Sequence, residues 1–342
     1  MSFAAFQFNN GGTVYWSGLI IALGIAGGFF ISCVLRTRRG EDRGALWAFL
    51  PFAMVFSVFF CRVIHWYCHM EQYGGFGKAL SDLSIGSYCL PGILFGMILA
   101  AFLVRLLGFS STMGEILDCA APGAVFTVAV IRFSALFGST YRSKIAVNRP
   151  FLQHLPLAVP MNPADKGGDY CYAAFFIEAI ILLLVCAWLI RFCIRQTDDG
   201  WADPQDGCGD TARLALVLYS AVELLMDSPR SDSSFFHFTF LRSLNPYMGF
   251  ISLIQLIAAI SLACVLIYFS IRAVRENGLS VGMFVLWILY LLSLAAAGIA
   301  EYLVQRHGDW YLRCYALMSL GCFGMAFIIW RVYRKGALRF EP

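Results

Sequence analysis

Residues 111–138, STMGEILDCAAPGAVFTVAVIRFSALFG, decide the fold that the chain is expected to adopt. The stretch is apolar and longer than the ~20 residues with which an α-helix crosses a bilayer. It carries two carboxylates, Glu115 and Asp118, near its start and a guanidinium, Arg132, near its end. Because a charge inside hydrocarbon is costly, such residues face a polar cavity or a partner and mark function. We therefore predict that Arg132 lies close to the functional site.

The composition of the whole chain is that of a membrane protein. Of its 342 residues, 60% are hydrophobic and 13% are charged, whereas a soluble domain has about 25% charged residues. The net charge of +4 is small, and we expect no nucleic-acid partner. The 12 cysteines lie mostly in apolar runs, where a thiol behaves as a small hydrophobe. We predict no disulfide framework, no cofactor and no metal site.

Apolar runs predict an all-α, polytopic helical bundle with about nine membrane-spanning helices. The predicted spans are 15–35, 45–67, 88–107, 111–138, 171–193, 214–226, 249–271, 281–304 and 311–333. The N-terminus lacks the basic segment of a cleaved signal peptide, so the first span is expected to be retained. A polar loop, 139–170, follows the fourth span.

Loop charges predict the orientation of these spans. With nine spans, most of the 25 Lys and Arg residues fall on the side that also holds the C-terminus. Because basic short loops stay in the cytoplasm, we expect the N-terminus outside the cell and the C-terminus in the cytoplasm. The loop 139–170 is then extracytoplasmic.

This orientation makes ionisable residues of several spans converge near the outer surface. They are Arg62, Arg132, Glu178, Asp227, Arg230 and Glu301. Glu178 is expected about two turns below that surface. Two or three arginines at one depth suit a lipid phosphate, which a guanidinium binds in bidentate fashion. The convergence therefore predicts an anionic lipid as ligand.

Structural roles are the alternative for each of these arginines. Arg62 can extend to the membrane interface, and Arg132 can form an ion pair with Glu178. Arg230, beside Pro229, can be an ordinary loop arginine.

Two carboxylates lie at the other end of the fourth span. Glu115 and Asp118 are predicted to cap its inner end, because carboxylates are favourable at a helix N-terminus. This prediction places them away from the chemistry.

Several motifs resemble those of the phosphatidylglycerol–prolipoprotein diacylglyceryl transferases. The first span opens with Tyr15-Trp16-Ser17-Gly18-Leu19, and Cys61-Arg62-Val63 stands where the family has Gly-x-Arg-Leu. The fourth span is similar to the family's signature helix, with Asp118 before Ala121-Pro122 and with Arg132 at the motif arginine. The likeness covers about 13–271.

Two further matches lie later in the chain. Glu178 stands at the position of a family glutamate in the next span. Asp227-Ser228-Pro229-Arg230-Ser231-Asp232 resembles a late family segment and puts the second essential arginine at Arg230. The resemblance implies a seven-helix transferase-like core over 1–271 and an additional C-terminal helix pair over 272–342.

The chain also departs from the family motifs at two places. Arg132-Phe133-Ser134-Ala135 stands where the family has Arg-Ile-Gly-Asn, so the asparagine is missing. Ser87-Tyr88-Cys89-Leu90-Pro91 stands where it has Ser-Phe-His-Gly-Gly, so the histidine is missing. Tyr88 is the candidate for handling a proton at that position, although a phenol is a weaker base than imidazole near neutral pH.

The resemblance implies transfer of a diacylglyceryl group from phosphatidylglycerol to the thiol of a lipobox cysteine. The implied partners are phosphatidylglycerol, a prolipoprotein signal peptide with its lipobox, and membrane lipid, in the plasma membrane of a bacterium. The predicted catalytic residues are Arg132, Arg230, Tyr88 and Glu178. The predicted substrate-binding residues are Arg62, Asp227 and Tyr15.

Two other function classes stay open at this point. One is a noncatalytic membrane protein of the same fold that binds a lipid or a protein partner. The other is a small-molecule transporter, for which charges near the bilayer midplane and an internal repeat are expected. The sequence shows no repeat, and its charges cluster toward one face, which disfavours transport.

Overall fold

The structure is a computed structural model that describes residues 4–7, 13–68, 75–81, 90–110, 112–137, 142–147, 150–153, 157–161, 169–198, 208–230, 251–307 and 310–337. Its helices are α1 Trp16–Arg38, α2 Gly44–Cys68, α3 Phe76–Ser81, α4 Gly92–Leu106, α5 Met113–Ser134, α6 Pro150–Gln153, α7 Ala174–Asp198, α8 Asp210–Asp227, α9 Leu253–Asn277, α10 Val281–His307 and α11 Tyr311–Ala337. Its strands are β1 Ala4–Gln7, β2 Thr13–Tyr15, β3 Ala158–Pro160 and β4 Tyr170–Tyr172.

The all-α, polytopic architecture predicted from the apolar runs is confirmed. Within the described residues, 7 helices are long and apolar enough to cross a membrane: α1, α2, α5, α7, α9, α10 and α11. Helices also occupy the predicted third and sixth spans, but α4 has only 15 residues. The sixth, α8, has 18 residues and carries ionisable groups at both ends. The number of nine spans stays a prediction.

The chain packs as two compact units. Unit 1 comprises Met1–Ala215 with Pro229–Asp232, and unit 2 comprises Leu216–Ser228 with Ser233–Pro342. The predicted division into 1–271 and 272–342 follows the family resemblance and not the packing, and it stays a prediction.

Close packing of glycines joins α1 to α5 in unit 1. The Thr127 hydroxyl donates a hydrogen bond to the Gly24 carbonyl at 3.1 Å. One turn along, Gly28 lies so near to Gly123 that a Cβ on either would collide with the backbone carbonyl of the other. Successive contacts thus run toward higher residue numbers along α1 and toward lower residue numbers along α5, so the two helices are antiparallel.

The other long helices of unit 1 continue this alternation. Gly92 and Gly96 at the start of α4 pack against the backbone of Cys61 and Ser57 near the end of α2. At the other end of unit 1, the start of α2, the end of α4 and the start of α5 share one apolar cluster. One end of unit 1 is formed by the starts of α1, α4 and α7 and by the ends of α2 and α5. We call it the arginine end, because Arg62 and Arg132 lie there.

Short extended segments form a small antiparallel sheet in unit 1. Strand β3 pairs with β4. Residues 142–147 lie beside β4, where the Val147 N–H donates to the Tyr170 carbonyl at 2.7 Å. On the other side, the Lys144 N–H donates to the Pro229 carbonyl at 2.8 Å. The backbones of Ser143 and Arg230 pair there in an antiparallel β-bridge. We call β3, β4, 142–147 and 229–230 the loop sheet; it includes part of the loop predicted at 139–170.

Unit 2 contains the end of α8 and the helices α9, α10 and α11. The Ser252 hydroxyl accepts a hydrogen bond from the Gln255 N–H, and the Gln255 side chain accepts one from the Ser252 N–H, so a capping box begins α9. Gly321 lets α11 approach the backbone of α10 at Ser293. The Trp287 indole of α10 donates to the Ser270 hydroxyl of α9 at 2.9 Å.

The contact between α1 and α5 predicts the effect of a single methyl group. Gly28→Ala places Cβ onto the Thr127 hydroxyl and the Gly123 carbonyl. Overpacking of this kind should lower the free energy of unfolding by ~1–3 kcal/mol. The matched control is Gly18→Ala in the same helix, where nothing lies within 4 Å of the added Cβ and where alanine should raise stability by ~0.5–1 kcal/mol. Denaturant unfolding of the detergent-solubilised protein measures both, and equal stabilities would contradict the packing described.

Candidate active site

A buried ion pair lies at the arginine end. The Arg132 Nε donates to Glu178 Oε1 at 2.6 Å, and both residues are 0% exposed. Arg132 belongs to the last turn of α5, where a cation is favoured by the helix dipole. One turn further, Ala135 packs with Ala173 and Phe175, which brings the end of α5 to the start of α7. The ion pair between Arg132 and Glu178, which was the structural alternative to a functional role for Arg132, is therefore present.

Three more arginines are buried in the described part of the arginine end and the loop sheet. Arg62 near the end of α2 is 3% exposed, Arg230 in the loop sheet is 3% exposed, and Arg142 at the edge of the loop sheet is 8% exposed. Four buried guanidinium groups therefore lie in this described part of unit 1, together with the carboxylate of Glu178. Guanidinium is a group that binds anions such as phosphate.

Arg142 is the residue that sequence reasoning missed. An arginine in a polar loop between two spans is expected to face water, and no periodic pattern around 142 indicates burial. Its segment forms backbone hydrogen bonds to β4 and to Pro229, which are distant in sequence. The sequence carries no local signal for contacts of this kind.

The remaining predicted site residues are spread over the chain. Tyr15 ends β2, directly before α1 at the arginine end, and is 44% exposed. Tyr88 lies outside the described residues. Asp227 is buried in unit 2, where it accepts a hydrogen bond from the Ser252 hydroxyl. The structure brings Arg132 and Glu178 into contact, and the roles predicted for all of these residues stay predictions.

Unit 2 has a buried polar group of its own. Glu301 on α10 is buried, and its Oε1 accepts a hydrogen bond from the Gln305 side chain at 2.8 Å. The hydroxyls of Ser228 and Tyr315 lie 3.4 Å apart. The carboxylate of Glu301 also interacts electrostatically with Tyr315.

Asp118 lies at the opposite end of unit 1 and corrects one prediction. The predicted cap of its own helix is wrong, because its carboxylate accepts the N–H groups of Gly209 at 2.8 Å and Ala212 at 2.9 Å. It thereby caps the start of α8. Arg39 lies 3.6 Å away and balances its charge. The cap of α5 is the Thr112 hydroxyl, which accepts the N–H of residue 115.

A comparison of the sequence with known protein families identifies the family of this chain. Residues 4–292 match the family described as prolipoprotein diacylglyceryl transferase. The chain belongs to that family. The match confirms the resemblance predicted from the motifs, and it includes every residue predicted for the site. It ends within α10, so that the last part of α10 and all of α11 lie beyond it.

Similar proteins of the diacylglyceryl transferase family occur in several bacteria. A phosphatidylglycerol–prolipoprotein diacylglyceryl transferase of Halalkalibacterium halodurans is 26% identical over 191 residues, which cover 54% of this chain and 64% of that protein. The enzyme of that name in Trichormus variabilis is 23% identical over 222 residues, 65% of this chain and 76% of its own length. That of Geobacillus kaustophilus is 24% identical over 230 residues, 65% of this chain and 78% of its own length. The chain thus spans less than two thirds of the first relative and about three quarters of the others. With the membrane-competent helices, these relatives indicate a multi-pass bacterial membrane protein.

The buried ion pair predicts a large and non-additive effect on stability. Glu178→Ala leaves the Arg132 guanidinium without this carboxylate and should lower the free energy of unfolding by ~3–5 kcal/mol. The double variant Arg132→Ala/Glu178→Ala should lose clearly less than the sum of the single variants. The control is Glu276→Ala, which removes a part-exposed i,i+4 pair with Arg272 and should cost ~0.3–0.5 kcal/mol. Denaturant unfolding of the four proteins and the wild type gives these values, and additive losses would contradict the pairing.

Proposed function

We propose that this chain transfers a diacylglyceryl group from phosphatidylglycerol to the thiol of a lipobox cysteine in a prolipoprotein. The observation that carries the proposal is the set of buried guanidinium groups at the arginine end and in the loop sheet, including Arg132 in contact with Glu178. A lipid phosphate is the anion that a membrane supplies to such a place, and arginine binds phosphate through paired hydrogen bonds. The family and the names of the relatives support the same reaction.

The reaction places two demands on the site. The cysteine sulfur attacks the carbon of the diacylglycerol unit that is bonded to the phosphate oxygen. A C–S bond forms as the bond between that carbon and the phosphate oxygen breaks. Glycerol phosphate leaves with the electron pair of that bond, and the thiol loses its proton. Cations fixed in a poorly hydrated site stabilise the charge that develops on the leaving phosphate. Arg132 and Arg230 carry this role in the proposal.

Glu178 acts in this proposal by orienting Arg132. Its carboxylate holds the guanidinium through Nε at 2.6 Å, which fixes the direction of the remaining nitrogens without motion during the reaction. Tyr88 is the candidate for relaying the thiol proton: its phenol oxygen accepts that proton as its own O–H proton passes to water. Arg62 and Tyr15 contact the lipid and the peptide at the same end of unit 1.

The orientation of the chain follows from the same proposal. The start of α1 lies at the arginine end, so a chain with its N-terminus outside presents this end at the outer face of the plasma membrane. The bias of Lys and Arg toward the C-terminal side supports this orientation. The lipobox of an exported prolipoprotein then meets the site after crossing the membrane.

A noncatalytic member of the family is the second candidate. The observation that favours it is the absence of the motif asparagine after Arg132 and of the motif histidine, where Tyr88 stands. Such a protein keeps the guanidinium groups that bind the lipid but lacks the groups that remove the thiol proton.

Purified protein separates these two candidates. We expect it to transfer radiolabelled diacylglyceryl from phosphatidylglycerol to a lipobox peptide, and not to the same peptide with serine in place of cysteine. Arg132→Ala should lower the rate about 100-fold or more. The matched control is Arg105→Ala, an exposed arginine at the opposite end of unit 1, which should keep the wild-type rate. Lipid binding without transfer by the wild type would identify the noncatalytic member.

A further inference from the structure

A buried carboxylate of unit 2 has one oxygen without a hydrogen-bond donor. Glu301 in α10 is 3% exposed, and the Gln305 side chain donates to its Oε1 at 2.8 Å. Within the described residues, its Oε2 accepts no hydrogen bond, and no basic side chain forms an ion pair with it. An acid buried in a membrane-competent helix is costly and marks function. A proton or a donor that reaches the oxygen relieves that cost.

Hydroxyl groups lie between this carboxylate and the end of α8. Glu301 interacts electrostatically with Tyr315 near the start of α11. The Tyr315 hydroxyl lies 3.4 Å from that of Ser228, which directly follows α8 and is buried. Either hydroxyl can donate to the other, so the pair can pass a proton along. The three side chains therefore form one polar cluster within unit 2.

Ser228 belongs to the segment that resembles a late motif of the family. Asp227 precedes it and Arg230 follows two residues later, so the chain itself keeps Ser228 near both. Glu301 and Tyr315 lie beyond residue 292, where the family match ends. The cluster thus joins the motif segment to two side chains outside the matched part of the chain.

The proposed transfer reaction leaves one proton to be placed. The thiol loses this proton, and the motif histidine is missing from the chain. A phenol such as that of Tyr88 can pass a proton on, but it is a weak base near neutral pH, and so is water. A relay of this kind needs a base at its end, and carboxylates are common general bases. Glu301 offers such a carboxylate, with one oxygen that accepts no hydrogen bond from the described residues.

We propose that Glu301 is the base that finally accepts the thiol proton, through Ser228, Tyr315 and one bridging water. This inference rests on the proposed transferase function. The proton enters at the Ser228 oxygen, from the water that receives it during the reaction. The Ser228 O–H proton then moves to the Tyr315 oxygen, and the Tyr315 O–H proton passes through the bridging water to Glu301 Oε2. The sulfur keeps the electron pair with which it forms the C–S bond, and Glu301 returns its proton to water before the next turnover.

The titratable groups near this path have other partners or are neutral. On α11, the groups that interact electrostatically with Glu301 or Tyr315 are Tyr311, Cys314 and Cys322. Phenols and thiols are uncharged near pH 7. Asp227, beside Ser228 in the chain, accepts the hydroxyl of Ser252. Substitution of Glu301 can therefore show whether its charge controls the rate.

The test compares Glu301→Gln, Glu301→Asp, Tyr315→Phe and Glu276→Gln with the wild type in the transfer assay. At pH 7, Glu301→Gln should lower kcat about 100-fold and leave the KM for lipid and for peptide unchanged. Glu301→Asp should restore part of the rate, because it returns a carboxylate. Tyr315→Phe should lower kcat as well, because it removes the relaying hydroxyl. The matched control, Glu276→Gln, alters a part-exposed carboxylate of unit 2 and should keep the wild-type rate.

The pH dependence separates a proton acceptor from a side chain that only supports the fold. The rate deficit of Glu301→Gln should shrink as the pH rises past ~8.5, the ordinary pKa of a thiol, because thiolate then forms without the base. The wild-type kcat should change much less over the same range.

Each outcome decides between the inference and the proposed function. If Glu301→Gln elutes as the wild type does in size exclusion and keeps its kcat at pH 7, the inference is overturned and the transferase function stands. A deficit that is equal at every pH also overturns it. Tyr315→Phe, which leaves the carboxylate in place, gives the same decision should Glu301→Gln fail to fold. If the wild type transfers nothing, the transferase proposal fails, and this role of Glu301 fails with it.

Discussion

An ion pair sealed from water, between Arg132 and Glu178, holds together the two helix ends on which the arginine end is built. Either charge left there without the other would be strongly destabilising, so each of the two side chains requires the other. Ala135 packs one turn beyond against Ala173 and Phe175 and closes the contact. The same pair fixes the direction of the arginine that the family motif carries. In the proposed function, the contact between α5 and α7 and the binding of the lipid phosphate therefore involve the same two side chains.

At the same end of unit 1, guanidinium groups are also buried on α2, at Arg62, and on two segments of the loop sheet, at Arg142 and Arg230. In water each of these would be worth little to a phosphate ligand, but in a poorly hydrated site their interaction with an anion is much stronger. The elements that carry these arginines are also held by contacts of their own. Helix α2 packs against the glycines of α4, and the segments of the loop sheet are joined by backbone hydrogen bonds. The guanidinium groups are thus held in place by contacts that a ligand does not have to make.

Much of this arrangement could be predicted because its signals are local. Long apolar runs revealed the membrane helices, and the alternating direction of successive spans placed Arg132 at the same end as Arg62 and Glu178. Contacts between distant segments carry no such signal. Asp118 looks like the cap of its own helix, yet its partners Gly209 and Ala212 lie 91 and 94 residues later. Arg142 looks like a solvated loop residue, yet its side chain is buried, and its segment pairs with β4 and with Pro229, which are distant in sequence.

The most direct test of the account is the position of a bound phosphate. An electron cryomicroscopy structure of the protein in nanodiscs that contain phosphatidylglycerol would show it. The account predicts a lipid phosphate within ~3 Å of at least two guanidinium groups of the arginine end and the loop sheet. A headgroup bound elsewhere, with those guanidinium groups contacting protein atoms alone, would contradict it.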